Sequence, residues 1–349
     1  MMSEEQADKR STTPGLTLSV TADEEGKPKR SLASILKATI LNTQGSLLAL
    51  IVVIMVAMAI ATDSFWTPYN LQNLFRQASI EGIIAIASTI VIITAGIDLS
   101  VGSVVGLTAM ISAVLMTEVG ANIGVWPAII IAMLAGTFVG LYHGFIIYDV
   151  KVDSFIATLG SMIFVRGIIK IISGAKTTAY LPDSFTNFAQ VEVFTIPSLV
   201  LVWLGVAALS HFVLKYTRFG RNIFVIGSSM EVAKLAGIRM RLNIYGVYIL
   251  AAFLNSLAGV LLSSRLTSAM PTGGAAYLMP AITAAVIGGA SLHGAQGSII
   301  GSVLGTLLMT TIITAGIHLE VHPFIMESVL GALLTVAVVI DQLRQRRAA

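Results

Sequence analysis

The stretch Thr94-Ala-Gly-Ile-Asp-Leu-Ser-Val-Gly-Ser-Val-Val-Gly106 places a single carboxylate, Asp98, between two segments that contain no other charged residue. As helices, residues 82–97 and 99–117 would be roughly 24 to 28 Å long, which is short for a hydrocarbon layer of about 30 Å. Asp98 therefore marks either a tight turn between two short spans or a break inside the membrane. At such breaks, ionisable groups face cavities that are enclosed by protein. Asp98 or Ser100 also suits the cap of the helix that follows, and the two roles are compatible.

The whole chain has the composition of a membrane protein. Of its 349 residues, 56% are hydrophobic and only 11% are charged, whereas about 25% of the residues in a soluble domain are charged. The chain contains no cysteine, which excludes disulfide bonds, thiolate metal sites and cysteine nucleophiles.

Ten apolar segments predict an all-α, polytopic membrane protein with about ten transmembrane helices. The predicted spans are residues 47–61, 82–97, 99–117, 125–148, 155–172, 194–214, 244–263, 277–292, 298–317 and 324–340, with a short amphipathic piece at 70–80. We divide the chain into a flexible N-terminal tail, 1–46, a transmembrane domain, 47–341, with a long polar loop at 215–241, and a basic C-terminal tail, 342–349.

The positions of the basic residues predict the orientation. With the N-terminus inside the cell, an even number of spans places the loop at 215–241 and the C-terminus in the cytoplasm. Sixteen of the 21 Lys and Arg residues then lie on the inner side, as the positive-inside rule requires.

Two apolar regions share a weak internal repeat. Residues 95–99, Ala-Gly-Ile-Asp-Leu, align with residues 288–292, Gly-Gly-Ala-Ser-Leu, and Gly102-Ser-Val-Val-Gly106 aligns with Gly297-Ser-Ile-Ile-Gly301. Glycine-interrupted apolar segments at corresponding positions of two halves point to a transport site between the repeats, although glycine-rich spans also resemble each other by composition alone. The candidate translocation pathway contains Gly96, Asp98, Ser100, Gly289 and Ser291.

Glycines at four-residue spacing predict close helix packing. Gly136, Gly140 and Gly144 lie on one face of the fourth span, where small residues let a second helix approach closely. Gly297, Gly301 and Gly305 repeat this spacing. Packing explains both sets.

Three polar residues within spans have structural explanations. His143 has no neighbouring ligand at metal-binding spacing, so a packed neutral histidine is favoured over a metal ligand. Arg166 and Lys170 lie one turn apart in the fifth span, and we expect both to extend their side chains toward an interface.

The polar loop contains a short capped helix. Ser228-Ser-Met-Glu231 matches a capping box, in which the Ser228 hydroxyl accepts from the Glu231 backbone N–H. Gly237 suits the left-handed residue that ends a helix, so we predict about two turns over residues 229–236. Such a helix, in a basic loop, suits docking to another protein or a surface position on lipid headgroups.

The side chains of this helix suggest how it would bind a partner. Glu231 and Lys234 are one turn apart and are expected on one face. Met230, Ala233 and Gly237 follow a helical spacing and are expected to form a small apolar strip that fills a groove in another protein. The candidate docking element contains Ser228, Ser229, Met230, Glu231, Ala233, Lys234 and Gly237.

Five motifs in order resemble the permease subunits of ribose-type ATP-binding cassette importers of monosaccharides. They are Gly96-Ile-Asp-Leu-Ser-Val-Gly-Ser103, Phe155-Ile-Ala-Thr-Leu-Gly160, Phe219-Gly-Arg-Asn222, the helix at 231–238 and Ile287-Gly-Gly-Ala-Ser-Leu292. The resemblance covers roughly residues 65–341. The chain departs from the family pattern at Ser229, where Asn is usual, at Ser154, where Pro is frequent, and at Ala295, where a second Gly is common.

The resemblance implies the partners. In that family two permease subunits, identical or closely related, pair in the bacterial inner membrane, a periplasmic protein delivers the sugar, and a separate cytoplasmic ATPase grips a loop helix. The helix at 229–236 corresponds to that grip. No nucleic-acid partner is expected.

The chain also lacks a motif for ATP hydrolysis. No Gly-x-x-x-x-Gly-Lys-Ser/Thr occurs, so a partner subunit must bind and hydrolyse ATP, and neither a cofactor nor a catalytic activity is expected in the chain itself. An ion-coupled secondary transporter of a small polar solute is the alternative. It would need acidic coupling residues, for which Asp98, Glu118 and Glu327 are the sequence candidates.

Overall fold

The computed structural model describes residues 43–118 and 120–348, so the predicted N-terminal tail lies almost entirely outside the described residues. Thirteen α-helices are present in the described part of the chain. They are α1 (Thr43–Ala61), α2 (Pro68–Ile93), α3 (Val101–Met116), α4 (Val125–Gly144), α5 (Ser154–Ser173), α6 (Asp183–Gln190), α7 (Ser198–Tyr216), α8 (Arg218–Ser228), α9 (Met230–Leu235), α10 (Met240–Leu266), α11 (Leu278–Ile287), α12 (Ile299–His318) and α13 (Pro323–Ala348).

The prediction of a polytopic helical protein is confirmed. Each of the ten predicted apolar segments overlaps a helix. Eight of the described helices are long and apolar enough to cross a membrane, while α3 and the segment Ala275–Ile287 are apolar but shorter. We call the end of the bundle that carries α8 and α9 the loop end.

Helix α2 forms the centre of the bundle. Residues 78–93 are buried on all sides, because an almost continuous run of apolar side chains can be covered all round only by other helices. α2 contacts α10, α12, α7 and α11. The sequence predicted a separate amphipathic piece at 70–80, but the structure has one continuous helix, since the polar Gln77 and Glu81 are accommodated inside the protein.

The predicted glycine seam on α4 packs against α10. A Cβ atom at Gly140 would lie 2.4 Å from the carbonyl oxygen of Tyr248, and one at Gly136 would lie 2.0 Å from the hydroxyl of Ser256. The backbones of the two helices therefore approach too closely for any larger residue.

Helices α3 and α11 are short and meet a loop that turns back into the bundle. As helices, α3 and α11 are about 24 and 15 Å long, less than the hydrocarbon thickness. The loop that follows α10 brings Gly274 onto the first turns of α3, where a Cβ on Gly274 would lie 2.0 Å from the Gly102 carbonyl oxygen. The Ser112 hydroxyl of α3 lies 3.4 Å from that of Ser263, near the end of α10, and Gly102 lies ten residues earlier in the chain, so this loop returns inward by about 15 Å.

Several predicted span boundaries are wrong, including the end of the eighth span, which was expected at residue 292 although α11 ends at Ile287. The sixth span was expected to begin at residue 194, but α7 begins at Ser198 after a two-stranded antiparallel hairpin, β1 (Glu192–Val193) and β2 (Ile196–Pro197). Phe194 lies at the turn with φ +50° and is 93% exposed. In addition, α13 continues as a helix to Ala348, through the segment predicted as a tail.

The two glycine-serine blocks of the predicted repeat lie differently with respect to their helices. Gly102 to Gly106 lies wholly within α3, whereas Gly297 precedes α12, whose N-cap is Ser298. The internal repeat therefore remains a prediction, because the two blocks do not occupy equivalent positions at the starts of α3 and α12.

Candidate translocation and coupling site

The break between α2 and α3 spans residues 94–100, which we call the break segment. Ala95 has φ +58°, which turns the chain sharply after α2. Gly96 is required at its position, because a Cβ there would lie 2.6 Å from the hydroxyl oxygen of Tyr248. This irregular segment is therefore packed against α10. Such packing is required within a membrane, because lipid cannot satisfy the hydrogen-bonding groups of non-helical backbone.

Asp98 organises the start of α3. Its side chain is only 6% exposed, and Oδ1 accepts from both the backbone N–H of Ser100, at 2.8 Å, and the Ser100 hydroxyl, at 2.6 Å. Ser100 is the N-cap residue of α3, but its own side chain makes no capping hydrogen bond. The carboxylate thus serves the turn that leads into the helix.

The first turns of α5 hold the backbone of the break segment. The Ile97 N–H donates to Ser154 Oγ, and the Leu99 N–H donates to Thr158 Oγ1, both at 3.1 Å. These bonds satisfy backbone groups that have no helical partner, which would otherwise be costly to bury. Ser154, recognised from the sequence only as a departure from a common Pro, therefore has a specific contact.

A buried polar cluster surrounds the break segment. His143 is 1% exposed, and its Nε2 lies 2.8 Å from Ser161 Oγ, while its ring packs edge-on against Tyr248 at 5.9 Å between centroids. The expectation of a packed histidine agrees with these contacts. No group of three or more metal-binding side chains occurs in the described part of the chain.

We predict that Thr158→Val destabilises the protein. It leaves the half-buried Leu99 N–H without its acceptor, which costs about 1 kcal/mol, and thermal unfolding in detergent should show a lower midpoint. Thr137→Val is the matched control, because the Thr137 hydroxyl donates only to Met133 in its own helix. Equal midpoints for the two variants would show that Thr158 does not hold the break segment.

The second predicted pathway region forms the loop 288–298, between α11 and α12, which we call the return loop. Gly289 has φ +96°, which favours glycine. Ser291 is 1% exposed, and its hydroxyl donates to Asp341 Oδ2 of α13 at 3.1 Å. The His293 Nδ1 lies 3.9 Å from the same carboxylate oxygen. These hydrogen bonds thus join Asp98 to the start of α3 and Ser291 to α13.

The backbones of the break segment and the return loop nevertheless meet. The Ala295 N–H donates to the carbonyl oxygen of Ile93, the last residue of α2, at 2.9 Å. A Cβ on Gly294 would lie 2.9 Å from Ala95. The two regions that the sequence paired by internal resemblance are therefore in contact at the loop end.

Helix α8 packs directly on this contact. A Cβ at Gly227 would lie 1.9 Å from the Ile93 carbonyl oxygen and 2.7 Å from the Ala295 nitrogen. One loop helix thus touches the end of α2 and the return loop at the same point. Sequence patterns did not single out Gly227. We call this three-way contact the junction.

The predicted capped helix exists as α9, with a different cap. Ser229 is the N-cap residue and its hydroxyl accepts from the Val232 N–H at 3.3 Å, whereas the Ser228 hydroxyl donates back to Val225 in α8. The prediction that Ser228 caps the helix is wrong, because α8 extends through Ser228. Gly237 has φ +71°, as expected for the residue that ends the helix.

The apolar strip predicted on α9 is also wrong. Ala233 is completely buried and belongs to the main hydrophobic core, so it faces the bundle rather than a partner. The large apolar side chains exposed on α9 are Met230 at 53%, Val232 at 54% and Leu235 at 89%. Glu231 and Lys234 are exposed as well.

Glu81 is an intramembrane carboxylate that sequence reasoning missed. It is 4% exposed, and its two oxygens accept from Gln77 and from Thr310 of α12, both at 2.9 Å. Its position next to a long apolar run was the available signal. Because both oxygens are bonded, Glu81 ties α2 to α12.

Comparison with known proteins agrees with this architecture. Residues 70–339 match the family described as the permease component of the branched-chain amino acid transport system. The ribose import permease protein RbsC of Haemophilus influenzae is 38% identical over 74% of this chain and 80% of its own length.

Two further relatives have the same kind of name. RbsC of Escherichia coli K12 is 33% identical, and the galactose/methyl galactoside import permease protein MglC of the same strain is 32% identical, each over 87% of this chain and 95% of the relative. No solved structure matches the chain significantly. The matched region includes the break segment, the junction and the return loop, and the chain belongs to this family of multi-pass membrane permease components.

Proposed function

We propose that the chain is the transmembrane subunit of an ATP-driven importer and forms the translocation pathway for a monosaccharide. The sugar names of the relatives support the substrate class. A binding protein outside the cell delivers the sugar, a second permease subunit completes the pathway, and a separate ATPase subunit supplies the energy. The loop end is then cytoplasmic.

The observation that carries this proposal is the junction. A partner that moves α9 and α8 would push on Ile93 and Ala295 together, because Gly227 contacts both. These residues lead directly into the break segment and the return loop, which contain the five candidate pathway residues. A movement of the loop by the ATPase would therefore be transmitted to the break segment and the return loop through packed backbone, which deforms little.

The pathway assignment follows the same geometry. Gly96, Asp98 and Ser100 lie in the break segment, and Gly289 and Ser291 lie in the return loop. We infer that these residues act as two hinges at one end of the pathway rather than as a tight sugar site, since a high-affinity site within a permeation path would slow release.

Transport in proteoliposomes tests the proposal. We predict that the purified chain alone moves no sugar, and that uptake appears when its ATPase subunit, its binding protein and ATP are supplied, and persists when ionophores dissipate all ion gradients. Uptake by the chain alone, driven by a proton or sodium gradient, would replace the importer with the ion-coupled alternative.

Glu81 joins Asp98 as a buried carboxylate that the ion-coupled alternative could use. Its bonds to Gln77 and Thr310 occupy both oxygens, which supports a structural role within the importer.

A further inference from the structure

The segment between α5 and α7, residues 174–197, covers the end of the bundle that faces away from α8 and α9. We call it the cover segment, and we call that end the far end. It contains α6 and the β1–β2 hairpin. α6 contacts α10 and the hairpin contacts α2, and both of these long helices are mostly buried inside the bundle. The cover segment therefore lies over the middle of the bundle and not along its perimeter, where lipid would be.

Several polar contacts hold the cover segment in place. A backbone bridge with two hydrogen bonds joins Thr178 to the loop that follows α10. The Ser264 hydroxyl of α10 donates to the carbonyl oxygen of Phe185 in α6 at 2.7 Å. The Arg76 guanidinium of α2 donates to the Glu192 carboxylate of the hairpin at 3.1 Å. The cover segment is thus an ordered surface attached to the central helices.

Two aromatic side chains project from the cover segment into solvent. Tyr180 is 98% exposed and Phe194 is 93% exposed. Their backbones have φ values of +59° and +50°, a left-handed conformation that is unfavourable for a bulky residue. Strain at ordered positions is typical of functional sites, and aromatic residues are enriched at protein interfaces. The cover segment therefore presents two rigidly held aromatic groups to a partner in the water phase.

The far end has an acidic surface. The segments that connect the helices there contain five acidic residues and one basic residue, all exposed. They are Asp63, Glu118, Asp183, Glu192 and Glu320, and Lys176. Acidic residues remain in excess when Lys170 and Arg265, in the last turns of α5 and α10, are included. Such a surface attracts a partner with a basic face and repels both a second copy of itself and anionic lipid.

We propose that the outer surface of the cover segment docks the sugar-binding protein that delivers the substrate. The rings of Tyr180 and Phe194 enter apolar pockets of that protein, and Lys and Arg residues on its docking face pair with the acidic residues of the far end. A lipid surface would contact the perimeter of the bundle, and a second copy would bring a second acidic surface. The proposal rests on the proposed function, because the partner is the binding protein of that importer.

Replacement of the aromatic residues by Asn separates docking from folding. Asn tolerates the left-handed conformation better than an aromatic residue does, so Tyr180→Asn and Phe194→Asn remove the rings without destabilising the protein. Thr195→Asn is the matched control, because Thr195 is exposed at the same turn with φ +68° and has no ring.

The Kd of the binding protein is measured on the assembled importer in phosphatidylcholine nanodiscs, together with the unfolding midpoint of each variant. The binding protein is the one that supports uptake in the proteoliposome assay. A failure of the proposed function therefore appears in the uptake assay, whereas a failure of the docking assignment appears only in the Kd values of the variants.

We expect Tyr180→Asn and Phe194→Asn each to raise the Kd by roughly tenfold or more, with an unchanged or higher unfolding midpoint. Thr195→Asn should leave the Kd unchanged. Asp183→Lys should slow association and make the association rate less dependent on salt concentration. Unchanged Kd values for both aromatic variants overturn the proposal, and faster association of Asp183→Lys overturns the basic face assigned to the partner.

A fluorophore at the hairpin turn distinguishes the other occupants. The chain has no cysteine, so Thr195→Cys provides a single labelling position. A change in emission when the binding protein is added supports the proposal. Quenching by brominated lipid places the turn in the headgroup layer and overturns it. Separation of the two permease copies by Phe194→Asn in detergent, with an unchanged Kd, assigns the surface to a second copy and also overturns it.

Discussion

Gly227→Ala is expected to abolish uptake and to lower the thermal midpoint markedly. The added methyl group would lie 1.9 Å from the Ile93 carbonyl oxygen, and backbone on both sides leaves no flexible side chain to move. Forcing the contact apart costs roughly 3 kcal/mol or more. The measurements are the unfolding midpoint in detergent and ATP-driven uptake by the assembled importer.

Gly205→Ala is the matched control for this prediction. Gly205 lies in α7, and no atom outside the backbone of its own helix lies within 4 Å of the position that its Cβ would take. The control should be neutral or slightly stabilising, since alanine favours a helix over glycine by up to about 1 kcal/mol. If Gly227→Ala matches the control in unfolding midpoint and in uptake, the junction does not transmit the movement of the ATPase to the pathway.

The second large effect is expected on α9. We predict that Leu235→Asp leaves insertion and thermal stability unchanged but releases the ATPase subunit during purification and stops uptake. Leu235 is 89% exposed, so a charge costs the fold little, whereas a charge placed in an apolar docking groove is strongly unfavourable. Co-purification of the two subunits is the measurement.

Leu343→Asp controls for a general effect of charge at the loop end. Leu343 is 52% exposed and lies two residues beyond Asp341, which bonds to the return loop. It should retain the ATPase. Normal retention by Leu235→Asp would instead favour α9 as a helix on lipid headgroups.

Ala233→Trp is unsuitable as a docking probe, because Ala233 is completely buried and the indole would disrupt the core.

Much of the helical architecture was predictable, because each span is an apolar run that only a helix can carry across lipid. The exact positions were harder where polar residues are satisfied inside the protein. Glu81 looked like the end of an apolar segment, yet its partner Thr310 is far away in the sequence. A charge therefore does not end a helix when a distant helix supplies its hydrogen bond.

The faces of the small loop helices were not predictable. A six-residue helix such as α9 has too few turns for its spacing to show which side is covered, so Ala233 appeared exposed although it lies in the core. Ser228 and Ser229 are equally good caps by composition, and the choice depends on where α8 ends. The break segment and the return loop were recognised from their glycines, but their contact with Gly227 required the fold.

The shortness of α11 has a consequence for how the protein is made. About 15 Å of helix cannot span the bilayer when it leaves the ribosome and the insertion machinery, and lipid cannot satisfy the hydrogen-bonding groups of the irregular backbone in the loop before it. Gly274 packs against Gly102 and Gly106 of α3, a helix synthesised much earlier. The N-terminal half must therefore be assembled first, and its α3 then acts as the template on which the later segment enters the membrane.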